Sequence, residues 1–185
     1  MGRVSTASRD NIPAPLQAAF DAMAQGRGGV PQIGPASVMI NSPEACSRAF
    51  HFSEYLRNQS TLPKHVQELA MLVVARELDC QYIWNAHAAS GKQAGITPGV
   101  VEALRDRQTL PPAKPEEAAV IKYGQEFYRT HRVSKGAFQQ AHEHFGTQGM
   151  AELTMLMGFY AMLAFNLNGF DVDLPAQRTE PILPV

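Results

Sequence analysis

From Pro13 onward, apolar residues recur every three or four positions almost without interruption, the period of a helix with one buried face. The run Pro15-Leu-Gln-Ala-Ala-Phe-Asp-Ala-Met-Ala places Leu16, Phe20 and Met23 on one side of a short helix, and Gln25-Gly-Arg-Gly-Gly-Val-Pro ends it in a loop. Ser42-Pro43-Glu44 supplies a cap, a proline at the first helical position and an acid in the first turn. This predicts a helix to about Arg57. Leu62-Pro63 opens the next helix, which runs through His65, Leu69, Leu72 and Val73 to Leu78. Asp79 is read as the cap of a helix from Cys80 to Ala94, closed by Gly95. Thr97-Pro98 starts another to about Arg107. Further helices are expected at 116–131, at 135–145 between a Ser134 cap and a Gly146 stop, and at 148–167. The alternating run Ala36-Ser-Val-Met-Ile is too short to support a sheet. The predicted fold class is all-α.

Domain organisation follows from the same pattern. Residues 1–12 are polar and aperiodic, and read as a flexible N-terminal arm. Residues 13–170 read as a single helical domain, with Pro111–Pro115 as a linker inside it. Residues 171–185, with Pro175, Pro181 and Pro184, read as an extended tail. A short internal echo is present: Glu68-Leu-Ala-Met-Leu returns as Glu152-Leu-Thr-Met-Leu. Each copy opens an apolar helical stretch, which suggests two related helical hairpins; coincidence among Leu/Met-rich helices is the alternative.

Composition narrows the function classes. Of 185 residues, 45% are hydrophobic and 18% charged, enough to build a core, and Lys plus Arg (16) nearly balances Asp plus Glu (17). No basic excess points to nucleic acid or to an anionic membrane surface. The most apolar uninterrupted run, Met155 to Phe165, falls short of the roughly 20 residues a membrane helix needs. It is expected as a core or subunit-interface helix. No secretory h-region precedes residue 30, and two cysteines make no disulfide framework, so a cytoplasmic location is expected.

Candidate chemistry concentrates between Gln67 and His87. Glu68 sits among apolar neighbours, where a carboxylate needs a partner or a shifted pKa. Cys80 lies at a helix N-terminus, a position that favours a thiolate. His87 shares its face but lies roughly 10 Å further along the axis, so it cannot take the thiol proton directly. Ile83 and Trp84, which fill that gap, relay no protons. Glu68 reaches His87 if the two helices pack antiparallel. Arg57, Lys64 and Arg76 could hold a substrate carboxylate, a solvated surface being the plainer reading; Glu68 could instead pair with Lys64 or Arg76. His142 and His144, two residues apart on a helix, point to different sides and are not expected to hold a metal.

The segments Leu62-Pro-Lys-His-Val-Gln-Glu-Leu-Ala, Val74-Ala-Arg-Glu-Leu-Asp-Cys-Gln-Tyr-Ile-Trp-Asn-Ala-His and Ala94-Gly-Ile-Thr resemble the carboxymuconolactone decarboxylase family, which includes the alkyl hydroperoxidase D-like (AhpD-like) proteins. Gly158-Phe-Tyr and Leu167-Asn-Gly-Phe are in keeping with its longer members. The resemblance implies an all-helical fold assembled as trimers or hexamers. The hydroperoxidase branch uses a glutamate, a Cys-x-x-Cys pair and a histidine as a proton relay. These fall on Glu68, Cys80 and His87, while the second cysteine falls on Ile83, which forbids an intramolecular disulfide cycle there. The decarboxylase branch implies acid–base work on a carboxylated lactone with no metal or cofactor.

Three functions are therefore expected in competition. The first is a carboxymuconolactone decarboxylase-like enzyme on a small carboxylated lactone or organic acid. Here Glu68 and His87 form the acid–base pair, and Leu72, Ile83 and Trp84 line an uncharged pocket. The second is a one-cysteine thiol peroxidase acting through Cys80. The third is a non-catalytic oligomeric ligand-binding module.

Overall fold

The computed structural model describes residues 2–178 and 180–185, and among these there is no strand. Eight helices follow in order: α1 Gln17–Gly26, α2 Pro35–Met39, α3 Pro43–Asn58, α4 Lys64–Glu77, α5 Gln81–Gln93, α6 Val100–Arg105, α7 Pro115–Thr130 and α8 Lys135–Gly169. Helix α4 is the centre. Eleven consecutive residues, Val66 to Arg76, are buried, because α5, α7 and α8 all pack around it. A helix apolar on every side is stable only when wrapped in this way.

Helix α2 has no counterpart in the sequence expectation. Gly34, at φ 73°, reverses the chain, and Pro35 then starts the helix with its φ already fixed. Helix α8 is broken at Gly146 (φ 63°, ψ −176°), the stop read from the sequence. By length and composition α8 could cross a membrane. However, Leu153, Leu156, Leu163 and Leu167 are buried in the main core, so that face is committed to the bundle.

At the chain ends one expectation is corrected and the other extended. The N-terminal segment is docked rather than loose. Ala7 and Ile12 are buried with Phe20 and Ile40 in a small second core, and the Arg3 N–H donates to the Phe170 carbonyl at 2.9 Å. The C-terminal tail is extended but firmly held, with Leu183 only 1% exposed. Gln81 exchanges two 2.8 Å hydrogen bonds with the Leu183 backbone, and Trp84 Nε1 donates to the Pro181 carbonyl at 3.2 Å. Arg76 reaches the Pro184 carbonyl at 3.3 Å, and Lys92 pairs with Glu180 at 2.7 Å. Residues 180–184 therefore run antiparallel along α5 as a strap.

Candidate active site

The turn between α4 and α5 sets the geometry. Asp79 adopts φ 48°, and the Cys80 N–H returns to the Ala75 carbonyl at 2.8 Å, a left-handed helix stop. Asp79 thus closes α4 rather than capping α5; Cys80 is the cap residue. The reversal lays α5 antiparallel to α4. Gly91 lets the two helices approach closely, since a Cβ there would stand 2.7 Å from Ile96 Cδ1 and 3.1 Å from Leu72 Cδ1. One turn earlier on the same face, His87 meets Glu68.

His87 Nδ1 lies 2.8 Å from Glu68 Oε2, and Lys64 Nζ lies 3.2 Å from Oε1. The Glu68 side chain is 2% exposed and that of His87 11%. Burial pushes the Glu68 carboxyl up, but the hydrogen bonds and charges of His87 and Lys64 outweigh it, leaving it below the usual carboxylate range. An ionised carboxylate only accepts, so Nδ1 must carry the donated proton. Nε2 is then the working atom, a base when the ring is neutral and an acid when it is protonated. Among the described residues, no protein group hydrogen-bonds it. The Tyr160 ring packs edge-on against His87, centroids 5.2 Å apart, and burial pushes the Tyr160 phenol up to about 12. Tyr160 is therefore a neutral hydroxyl beside the pair.

Of the residues singled out from the sequence, Glu68 and His87 meet and Lys64 joins them. Arg76 does not; it pairs with Asp79 at 3.1 Å. Cys80 stays apart. It is fully buried, and burial pushes its thiol up despite the backbone N–H groups of Ile83 and Tyr82 directed at it. The expected thiolate is corrected on that ground: desolvation exceeds the helix-end effect. Leu72, Ile83 and Trp84 are at most 2% exposed, packed in the core beside the pair. His142 bonds Thr147 at 3.1 Å, whereas His144 lines a different cavity with His65 and Glu116.

Two residues were missed. Tyr160 carried no signal beyond the Gly-Phe-Tyr match. Glu152 was marked only by the internal echo. It is 1% exposed and receives Thr61 N–H (2.8 Å), Thr61 Oγ1 (2.6 Å), Tyr55 OH (3.0 Å) and Gln148 Nε2 (3.1 Å). It pins the turn that launches α4, and so positions Lys64 and Glu68.

Comparison with known proteins places this geometry in context. Residues 43–126, which include Glu68, Cys80 and His87, match the model of the carboxymuconolactone decarboxylase family. No curated protein matches the chain. Among solved structures, the chain is similar to an alkylhydroperoxidase AhpD-core, peroxidase-related protein from Ralstonia eutropha JMP134, at 16% identity and TM-score 0.69, covering 95% of this chain and 93% of that one. A peroxidase-related protein from Silicibacter sp. TM1040 gives 18% identity and TM-score 0.69, covering 95% and 92%. A cysteine-to-alanine form of the debrominase Bmp8, in complex with 2,3,4-tribromopyrrole, gives 14% and 0.66, covering 94% and 91%. At such identities the likeness establishes the fold alone. Residues 43–126 of this chain thus carry a likeness to the carboxymuconolactone decarboxylase family, within an AhpD-like all-helical fold.

Proposed function

We propose that the protein is a cofactor-free acid–base enzyme that decarboxylates, or carries out related proton-transfer chemistry on, a small carboxylated lactone or organic acid. The observation that carries this reading is the 2.8 Å Glu68–His87 contact, which leaves Nε2 without a hydrogen-bond partner among the described residues. Glu68 holds the imidazole in one tautomer and stabilises its protonated form. In decarboxylation, the bond to the substrate carboxylate breaks and CO₂ leaves. The electron pair passes into the conjugated lactone carbonyl, and protonated Nε2 delivers its proton to carbon. The apolar surroundings supplied by Leu72, Ile83 and Trp84 disfavour a charged substrate relative to a transition state that disperses its charge.

The reading includes a cytoplasmic homo-oligomer, trimer or hexamer, with no nucleic-acid or membrane partner. Support comes from the apolar face that α8 leaves uncovered: Met155 (40%), Met162 (39%) and Phe165 (83% exposed) at helical spacing. The test of function is CO₂ release from a panel of carboxylated lactones, carboxymuconolactone first. His87→Gln abolishes turnover while leaving fold and assembly intact; full rate in that variant refutes the assignment.

One-cysteine thiol chemistry is the competing reading. It is favoured by the Ile83 and Tyr82 N–H groups directed at the Cys80 sulfur, and by peroxidase-related neighbours of the same fold. Full burial of Cys80 and its raised pKa weigh against it. A Cys80→Ser protein that consumes hydroperoxide as fast as wild type eliminates it.

A further inference from the structure

Eight residues beyond Glu68, roughly 12 Å along α4, the other end of the central helix meets a second polar cluster that the acid–base site does not use. A cleft of about 500 Å³ lies there, lined by Arg76, Arg107 and Arg129 with Gln108, Gln125 and Leu104 among its walls. That volume falls in the range of roughly 300–1,000 Å³ found for small-molecule sites.

The charges in the cleft do not balance. Glu77 is committed to Arg129 by two contacts, 2.9 and 2.6 Å. Asp79 is shared, its Oδ1 lying 3.1 Å from Arg76 Nη1 and 3.2 Å from Arg107 Nη2. Asp106, the next carboxylate felt by Arg76, is itself held by Arg105 at 2.7 Å, so four guanidinium groups stand against three carboxylates. Arg76 is the least satisfied. Its side chain is 2% exposed, and Nη2 donates to the Pro184 carbonyl. Nη1, although near Asp79, lacks hydrogen-bond geometry, and Nε has no hydrogen-bond partner. Burial, and after it the neighbouring Arg107 charge, pull the Arg76 pKa down, and the charges of Asp79, Glu77 and Asp106 only partly oppose this. A permanently charged group in that position is costly unless something pairs with it.

We propose that this cleft is a binding site for a small oxyanion, a carboxylate or phosphate group, paired with the guanidinium groups of Arg76 and Arg107 and within reach of the Gln125 amide. A planar guanidinium matches two oxygens of such a group at once. The site is separate from Glu68 and His87, on the opposite end of α4.

The test is calorimetric titration of inorganic phosphate and of succinate into the full chain, with ionic strength held constant by chloride. Two variants accompany it. Arg107 sits at φ 53°, so Arg107→Asn removes the charge with a residue that tolerates the left-handed region. Gln125→Glu places a carboxylate inside the cleft as a built-in counter-ion. Saturable binding of either anion is expected, weakened about tenfold or more by Arg107→Asn. Binding is abolished in Gln125→Glu, whose ligand-free melting temperature rises. The proposal is overturned if neither anion binds beyond chloride, or if both variants bind as tightly as wild type. It is equally overturned if Gln125→Glu lowers the melting temperature.

Discussion

Replacing Leu183 by alanine tests the idea that the C-terminal strap guards the α5 N-terminus. Leu183 is 1% exposed, its own backbone is tied to Gln81, and its neighbours Pro181 and Pro184 are tied to Trp84 and Arg76, residues that bracket Cys80 in sequence. In a rigid core, Leu→Ala costs about 2–5 kcal/mol. Here the cost has a ceiling, because the strap can undock instead of holding a cavity. The loss should lie near the low end, about 2 kcal/mol. At about 1.4 kcal/mol per tenfold, local opening then rises about 30-fold. The assay is alkylation of native protein in a Cys46→Ala background, so that Cys80 is the sole thiol. Its rate should rise by that factor while the helical circular-dichroism signal is kept. Unchanged alkylation alongside a lowered melting temperature would refute the reasoning, and would mean that α4–α5 packing alone shields the thiol.

Other outcomes follow from the same geometry. Glu152→Gln should cost about 1–3 kcal/mol at neutral pH, since donors that met a carboxylate then face an amide. Burial pushes the Glu152 carboxyl up, but its Thr61, Gln148 and Tyr55 donors hold it below the ordinary range. Its stabilisation is therefore complete above the unfolded value of about 4.3 and is lost as pH falls through the lower folded value. The gap between wild type and variant in urea titrations should close in acid. Gly91→Ala should destabilise by about 1–3 kcal/mol through overpacking against Ile96 and Leu72, and should lower turnover by spreading α5 from α4. Phe165→Glu, at an 83% exposed position, should leave the monomer fold intact and shift sedimentation toward smaller species; an unchanged mass would remove α8 as the assembly face.

Much of the fold was legible because α3, α4, α5, α7 and the Gly146 break are marked by proline starts, glycine stops and helical periodicity. These are local signals. The pairing of Glu68 with His87 was legible only as a condition on antiparallel packing, and the condition is met by Asp79 and Gly91. What the pattern missed depended on distant partners. The strap contacts residues about a hundred positions away, and the docked N-terminal segment meets α8. The direction of the Cys80 shift depended on how completely the core closes over it, which helix position alone does not reveal. Arg76 looked like a partner for Glu68, but eight residues of helix carry it to the other end of α4.

The central claim is that chemistry here belongs to His87 and not to Cys80. The most direct test measures CO₂ release from carboxylated lactones and hydroperoxide consumption side by side, in wild type, His87→Gln and Cys80→Ala. The account predicts lactone turnover that survives in Cys80→Ala and falls by about 10²-fold or more in His87→Gln, with no hydroperoxide activity that depends on the thiol. Hydroperoxide consumption lost in Cys80→Ala, with no lactone turned over by wild type, would contradict it.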